Sequence, residues 1–155
     1  MGIFQLPNLR FLTIRFNPYL TGYYLEFQSG SQLELLLLGG TNFSGQLAES
    51  IGNLKSLKEF DVAGCNFSRA IPSSLGNLTK LNSLHLCYNK LHGPIPGFIY
   101  RLQNPEDLCL SFNFVNRTLD LNLLLKFRNL VTLQLSGNNL YLPNSQICYL
   151  SSAKT

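Results

Sequence analysis

The residues best able to do chemistry are four cysteines, Cys65, Cys87, Cys109 and Cys148, and two histidines, His85 and His92. The cysteines hold no CxxC pair of the kind that zinc sites use. Cys87 and Cys109 are expected on neighbouring strands but offset by two positions. That separates their α-carbons by roughly 8 Å, too far for an unstrained disulfide. Free thiols are therefore expected. His85 falls near both, so a His/Cys/Cys metal site or a Cys/His nucleophile pair can be drawn. The first lacks a fourth ligand, and for the second no orienting acid or oxyanion donor can be placed. No GxSxG, P-loop or HExxH motif occurs. The expectation is a non-enzyme with no metal and no cofactor.

What must position these residues is a repeat. Leu9, Leu12, Ile14 and Asn17 recur as Leu33, Leu36, Leu38 and Thr41, then as Leu57, Phe60, Val62 and Cys65. The series continues with Leu81, Leu84, Leu86 and Asn89, with Pro105, Leu108, Leu110 and Asn113, and with Leu130, Leu133, Leu135 and Asn138. Starts near 9, 33, 57, 81, 105 and 130 give a single domain over residues 1–155 with about six units and no caps. The alternating part of each unit predicts a short strand, starting near residues 11, 35, 59, 83, 107 and 132. Each unit is too small to bury its own apolar face, so neighbours must stack into a curved solenoid. The Asn after each strand has the donors and acceptors to satisfy backbone left unpaired where the chain turns inward, whereas Thr41 and Cys65 have fewer.

The second half of the unit reads GQLAESIGNL, RAIPSSLGNL and GPIPGFIYRL at residues 45–54, 69–78 and 93–102. Gly45 and Gly93 permit a turn that a side chain would hinder, and Pro72 and Pro96 fix extended backbone. The whole resembles LxxLxLxxNxLxGxIPxxLGNLxx, the repeat of plant extracellular leucine-rich-repeat receptors, and residues 22–81 are particularly similar to the receptor-like proteins. The resemblance implies a leucine-rich-repeat solenoid of the α/β horseshoe class, with a short parallel β-sheet on the concave face and a 3-10 or irregular convex side. It departs from the pattern where Leu47-Ala48 stands for Ile-Pro, Arg69 for Gly and Pro105 for Leu. The pattern fades after Leu142, so an internal piece of an ectodomain is expected, with apolar ends prone to association.

Composition is consistent with this. Hydrophobic residues at 45% against 13% charged exclude a disordered tail. The net charge of +4 is scattered, which argues against nucleic acid as a partner. No apolar run approaches the roughly 20 residues of a membrane span, and polar residues interrupt any signal-like segment near Met1. The chain itself is thus expected to make no membrane contact. Its presumed parent would stand on the extracellular side of the plasma membrane.

The resemblance implies a recognition module for a peptide or protein ligand, with room for a co-receptor, in defence or developmental signalling. The alternatives are a secreted enzyme inhibitor of the polygalacturonase-inhibitor type, or a truncated product with no independent function. The concave face should carry binding, with Phe16, Glu59, Asp61, His85, Tyr88, Asp107 and Phe112 as ligand-contacting residues. Aromatics there would be anchors, and Glu59 with Asp61 would favour a basic ligand. Sequons at Asn42, Asn66, Asn77 and Asn116 are candidate glycosylation sites.

Overall fold

Six short strands begin at the six residues that the leucine spacing predicts. They are β1 (Phe11–Thr13), β3 (Leu35–Leu37), β5 (Glu59–Asp61), β7 (Ser83–His85), β9 (Asp107–Cys109) and β11 (Thr132–Gln134). The computed structural model describes residues 2–23 and 25–143. Cys148 lies outside the described residues. The six strands form one parallel sheet in the order β1-β3-β5-β7-β9-β11. Each residue pairs with its counterpart one repeat on, Phe11 with Leu35 and Leu36 with Phe60, for example. Inward positions build the core: Leu36, Phe60, Leu84 and Leu108 are buried in a continuous stack with Leu38, Val62, Leu86 and Leu110.

A second parallel sheet was not foreseen from sequence. After the inward turn the chain extends again as β2 (Thr21–Tyr23), β4 (Asn42–Gln46), β6 (Asn66–Arg69), β8 (Lys90–Gly93), β10 (Phe114–Thr118) and β12 (Asn139–Tyr141). These strands pair in the order β12-β10-β8-β6-β4-β2. One inward side chain per strand, such as Phe43, Phe67, Leu91 and Val115, ties this sheet to the core. One apolar residue in a short polar run is too little alternation to announce a strand.

The convex side carries the expected 3-10 turns at Glu49–Asn53, Ser73–Asn77 and Ile99–Arg101. Ile51 with Leu54, Leu75 with Leu78, and Ile99 with Leu102 close the core there. Repeat five lacks the Gly and Pro marks in this half and instead forms a single α-helical turn, α1 (Leu121–Leu124), capped by Asp120 Oδ1 accepting from Asn122 N–H at 3.0 Å. At the other end Phe4 packs edge-on against Phe27 at 5.3 Å.

The ladder asparagines tie one repeat to the preceding one. Asn89 Nδ2 donates to the carbonyls of Val62 (2.8 Å), Leu86 and Cys87, while its Oδ1 accepts from Phe67 N–H at 2.9 Å. Asn113 repeats this with Leu86, Leu110 and Ser111 as acceptors and Leu91 N–H as donor. Asn138 does the same with Leu110, Leu135 and Ser136 as acceptors and Val115 N–H as donor. Thr41 Oγ1 donates to Leu38 O within its own repeat (2.7 Å), and Cys65 Sγ makes longer contacts to that carbonyl and to Thr41 Oγ1, both at 3.4 Å.

A concave face lined by aromatics

Just before each ladder residue the backbone turns into the left-handed region. The six residues there are Phe16 (φ 59°), Gly40 (70°), Gly64 (64°), Tyr88 (55°), Phe112 (54°) and Gly137 (66°). Backbone bonds lock the row to the next repeat, from Phe16 N–H to Gly39 O, Gly40 N–H to Ala63 O, Gly64 N–H to Cys87 O and Tyr88 N–H to Ser111 O. Glycine adopts this conformation freely, whereas a side chain costs roughly 1–2 kcal/mol. Three repeats nevertheless place an aromatic here, and all three rings are exposed: Phe16 at 82%, Tyr88 at 58% and Phe112 at 48%. Tyr88 and Phe112 stack at 4.5 Å with an interplanar angle of 13°. The structure thus brings together two of the three aromatic candidates and leaves Phe16 two glycine repeats away.

Between Phe16 and Tyr88 lies a depression of about 440 Å³, lined also by Arg15, Gly39, Gly40, Asp61, Ala63 and Gly64. Arg15, absent from the ligand-contacting set predicted by sequence, is central to it. Its Nε donates to Asp61 Oδ2 at 2.6 Å, its terminal nitrogen pairs with the same carboxylate, and that nitrogen lies 3.4 Å from Glu59 Oε1. The two side chains meet across Gly39, where a Cβ would stand only 2.8 Å from Asp61 Oδ2. Asp61 Oδ1 also accepts from Ala63 N–H at 2.7 Å, and the residue is 5% exposed. The expected acidic patch is therefore corrected. Asp61 is a buried, neutralised carboxylate, because strand alternation gives a side chain's direction but not what another repeat lays over it. An opposite charge on an outward position two repeats earlier was the available signal. Glu59 keeps 29% side-chain exposure.

Further along, His85 Nε2 lies 2.8 Å from Asp107 Oδ2, so the orienting acid that sequence could not place is present. Register sets His85 beside Cys109. Cys109 is 3% exposed, and its thiol donates to Gln134 Oε1 at 3.1 Å, so it is not presented for attack on a substrate. Cys65, Cys87 and Cys109 are free and buried, although the last two sit at positions expected to face outward. The neighbouring Cys87 thiol pulls the Cys109 thiol down to about 7, and Cys109 together with burial pushes that of Cys87 up. Among the described residues no group of three or more His, Cys, Asp or Glu is arranged to hold a metal. At the entrance to the strands Glu34 bridges Arg10 and Lys58, with Lys58 Nζ at 2.8 Å. Those hydrogen bonds, Lys58 first and then Arg10, pull the Glu34 carboxyl below its ordinary range.

The sequon asparagines lie away from this face. Asn42, Asn77 and Asn116 are exposed, and Asn66, half-buried, donates through Nδ2 to Asn42 Oδ1 at 2.8 Å. Among the described residues no helix is long and apolar enough to cross a membrane.

The family model described as Leucine Rich Repeat matches residues 56–78 and 80–102. A search of curated proteins found no match. Among solved structures, the chain is similar to PEPR1 in its complex with AtPEP1, at 29% identity and a TM-score of 0.84, covering 89% of this chain and 19% of that one. It is similar to the leucine-rich-repeat ectodomain of the receptor kinase SOBIR1 from Arabidopsis thaliana, at 28% identity and a TM-score of 0.75, covering 85% and 71%. It is similar also to the Arabidopsis receptor kinase HAESA in complex with the peptide hormone IDA and the co-receptor SERK1, at 27% identity and a TM-score of 0.70, covering 79% and 20%. The chain spans about a fifth of the length of PEPR1 and of HAESA.

Proposed function

Because this chain is a leucine-rich-repeat solenoid of the plant extracellular receptor type, we propose that its concave sheet binds an extended peptide or a protein segment as part of a receptor-like ectodomain. The observation that carries this reading is the stacked, exposed pair of Tyr88 and Phe112. Both are held in a backbone conformation that glycine would adopt without strain, and strain kept where it is not needed for folding points to use. Rigid aromatics on a sheet face offer large contact area at little entropic cost. His85 and Asp107 stand beside them as polar partners for a ligand backbone or side chain. Outward side chains repeat every 4.8 Å or so across the strands and about 6.6 Å along them, so an extended chain lying in either direction meets a regular row of contacts.

The role is signalling in defence or development on the extracellular side of the plasma membrane, with a peptide ligand and a co-receptor as partners. It is supported by what the similar receptors bind: AtPEP1 for PEPR1, and the hormone IDA with SERK1 for HAESA. Asn42, Asn77 and Asn116 are surface positions suited to carry glycans, and Asn66 would compete with its bond to Asn42. The test uses the immobilised chain to retain peptides from plant extracellular fluid, read by mass spectrometry, beside a Tyr88→Gly/Phe112→Gly variant. Glycine fits the backbone at both places, so the variant keeps its fold. Peptides retained by the parent and lost by the variant are expected. Identical retention by both proteins refutes the assignment.

A further inference from the structure

We propose that the depression between Phe16 and Tyr88 is a slot for one bulky apolar side chain of an extended polypeptide that carries a lysine or arginine about four residues away. This inference rests on the reading of the concave face as a ligand surface and specifies the ligand's chemistry.

The slot is built by the alternation of aromatics and glycine in the left-handed row. Phe16 and Tyr88 stand three strands apart, roughly 14 Å between backbones. The Phe16 ring leans over Gly40, where a Cβ would lie 3.0 Å from Phe16 Cδ1. Tyr88 stacks away from the gap, onto Phe112. The open part lies above Ala63 and Gly64, about two repeats or roughly 10 Å wide. One aromatic or branched aliphatic side chain fills that width, touching a ring face on either side. The floor has no free charge to offer: Arg15 and Asp61 are closed on each other, and Asp61 is buried. An apolar occupant therefore loses no hydrogen bond on entering.

Charge complementarity supplies the second half of the motif. At the start of the strands, register aligns Glu59, Ser83 and Asp107 across neighbouring repeats. The two carboxylates flank a small hydroxyl residue, and both remain partly exposed, at 29% and 37%. Ser83 stands between them, its Oγ 3.5 Å from His85 Nε2, and a cationic head would sit over this row against the two carboxylates. From the slot to this row is four or five residues along the strand direction, roughly 13–16 Å. An extended ligand places residues four apart on the same side, so the two side chains can point at the sheet together. Arg15 is shared between Asp61 and Glu59, and His85 bonds Asp107, so three carboxylates meet one guanidinium and one imidazole and acid stays in excess. The exposed Arg10 and Lys58 are committed to Glu34.

The test pans a phage-displayed library of random linear dodecapeptides against the 155-residue chain and measures the enriched peptides by fluorescence polarisation. The expected consensus is an aromatic or branched aliphatic residue with Lys or Arg about four positions away. Ala63→Trp fills the slot and weakens binding by about tenfold or more. Phe16→Gly removes a wall while relaxing the backbone, so it weakens binding similarly with an unfolding midpoint that holds or rises. The pair Glu59→Gln and Asp107→Asn weakens the basic peptides and leaves their lysine-to-norleucine analogues unaffected. Peptides that bind Ala63→Trp and Phe16→Gly as well as the parent, yet lose affinity for Phe112→Gly, overturn the slot and leave the concave reading standing. No enrichment over the urea-unfolded chain overturns both.

Discussion

Replacing Arg69 by glycine should stabilise the protein. In the second sheet, residues at one repeat position take positive φ: Gly45 at 93°, Arg69 at 73°, Gly93 at 90° and Arg117 at 88°. Arg69 is exposed, and among the described residues its side chain makes no hydrogen bond or ion pair. Relieving the left-handed conformation gains roughly 1–2 kcal/mol. Glycine's wider freedom in the unfolded chain takes back about 0.4–1 kcal/mol. The net is about 0.5–1 kcal/mol in favour of Arg69→Gly. With a urea slope of roughly 2 kcal/mol per molar, the midpoint should rise by about 0.3–0.5 M at unchanged slope. Arg117→Gly stands two repeats away and should add independently. Gly93→Ala, the reverse change at φ 90°, should lower the midpoint. Urea unfolding followed by circular dichroism decides the matter. A midpoint for Arg69→Gly at or below the parent's, with the slope unchanged, would refute the strain argument and show that the arginine stem packs usefully on its neighbours.

Three further outcomes follow from the same geometry. Asn113→Ala strands Leu91 N–H in the core and leaves the Leu86 carbonyl with Asn89 Nδ2 alone, and should cost about 1–3 kcal/mol, read by urea unfolding. Glu34 titrates below its ordinary value of 4.5 because Lys58 and Arg10 bind its charged form. That contribution is present above the unfolded pKa and fades as pH falls through the lower folded one. Lys58→Ala should raise the Glu34 midpoint, as carbon-13 carboxyl NMR would show. Leu125, Val131 and Tyr141 expose apolar surface on the last repeats, so the purified chain should associate with rising concentration, and a single monomer boundary in sedimentation velocity at high concentration would count against it.

Much of the fold was legible because leucine spacing carries both period and direction. Six strands start where the pattern puts them, and the ladder residues Asn89, Asn113 and Asn138 bond as an inward amide must. The second sheet was not legible, because one inward residue such as Phe67 or Val115 in a polar run has no period to read. At the site, the outward placement of Phe16, Tyr88 and Phe112 followed from strand alternation. The burial of Asp61 and Cys109 did not, since it depends on Arg15 and Gln134 reaching across from other repeats. The left-handed backbone beneath the aromatics was hinted at by glycine at the same place in three other repeats, a comparison across repeats rather than along one.

The uneven ladder divides the molecule mechanically. Asn89, Asn113 and Asn138 each fasten their repeat to the one before through a strand-end carbonyl and a second-sheet amide. Thr41 sends no such bond backward, and Cys65 sends only long thiol contacts, to Leu38 O and Thr41 Oγ1. In a solenoid, stability is a sum over neighbouring interfaces, so the first three repeats are joined by weaker clasps than the last three. Amide hydrogen exchange should enter from the Phe16 end and stop near Asn89. Phe16 and Tyr88 sit on opposite sides of this compliant seam, so the distance between them is the dimension of the concave face that yields most readily, and a wedge entering there works against the softest part of the spring.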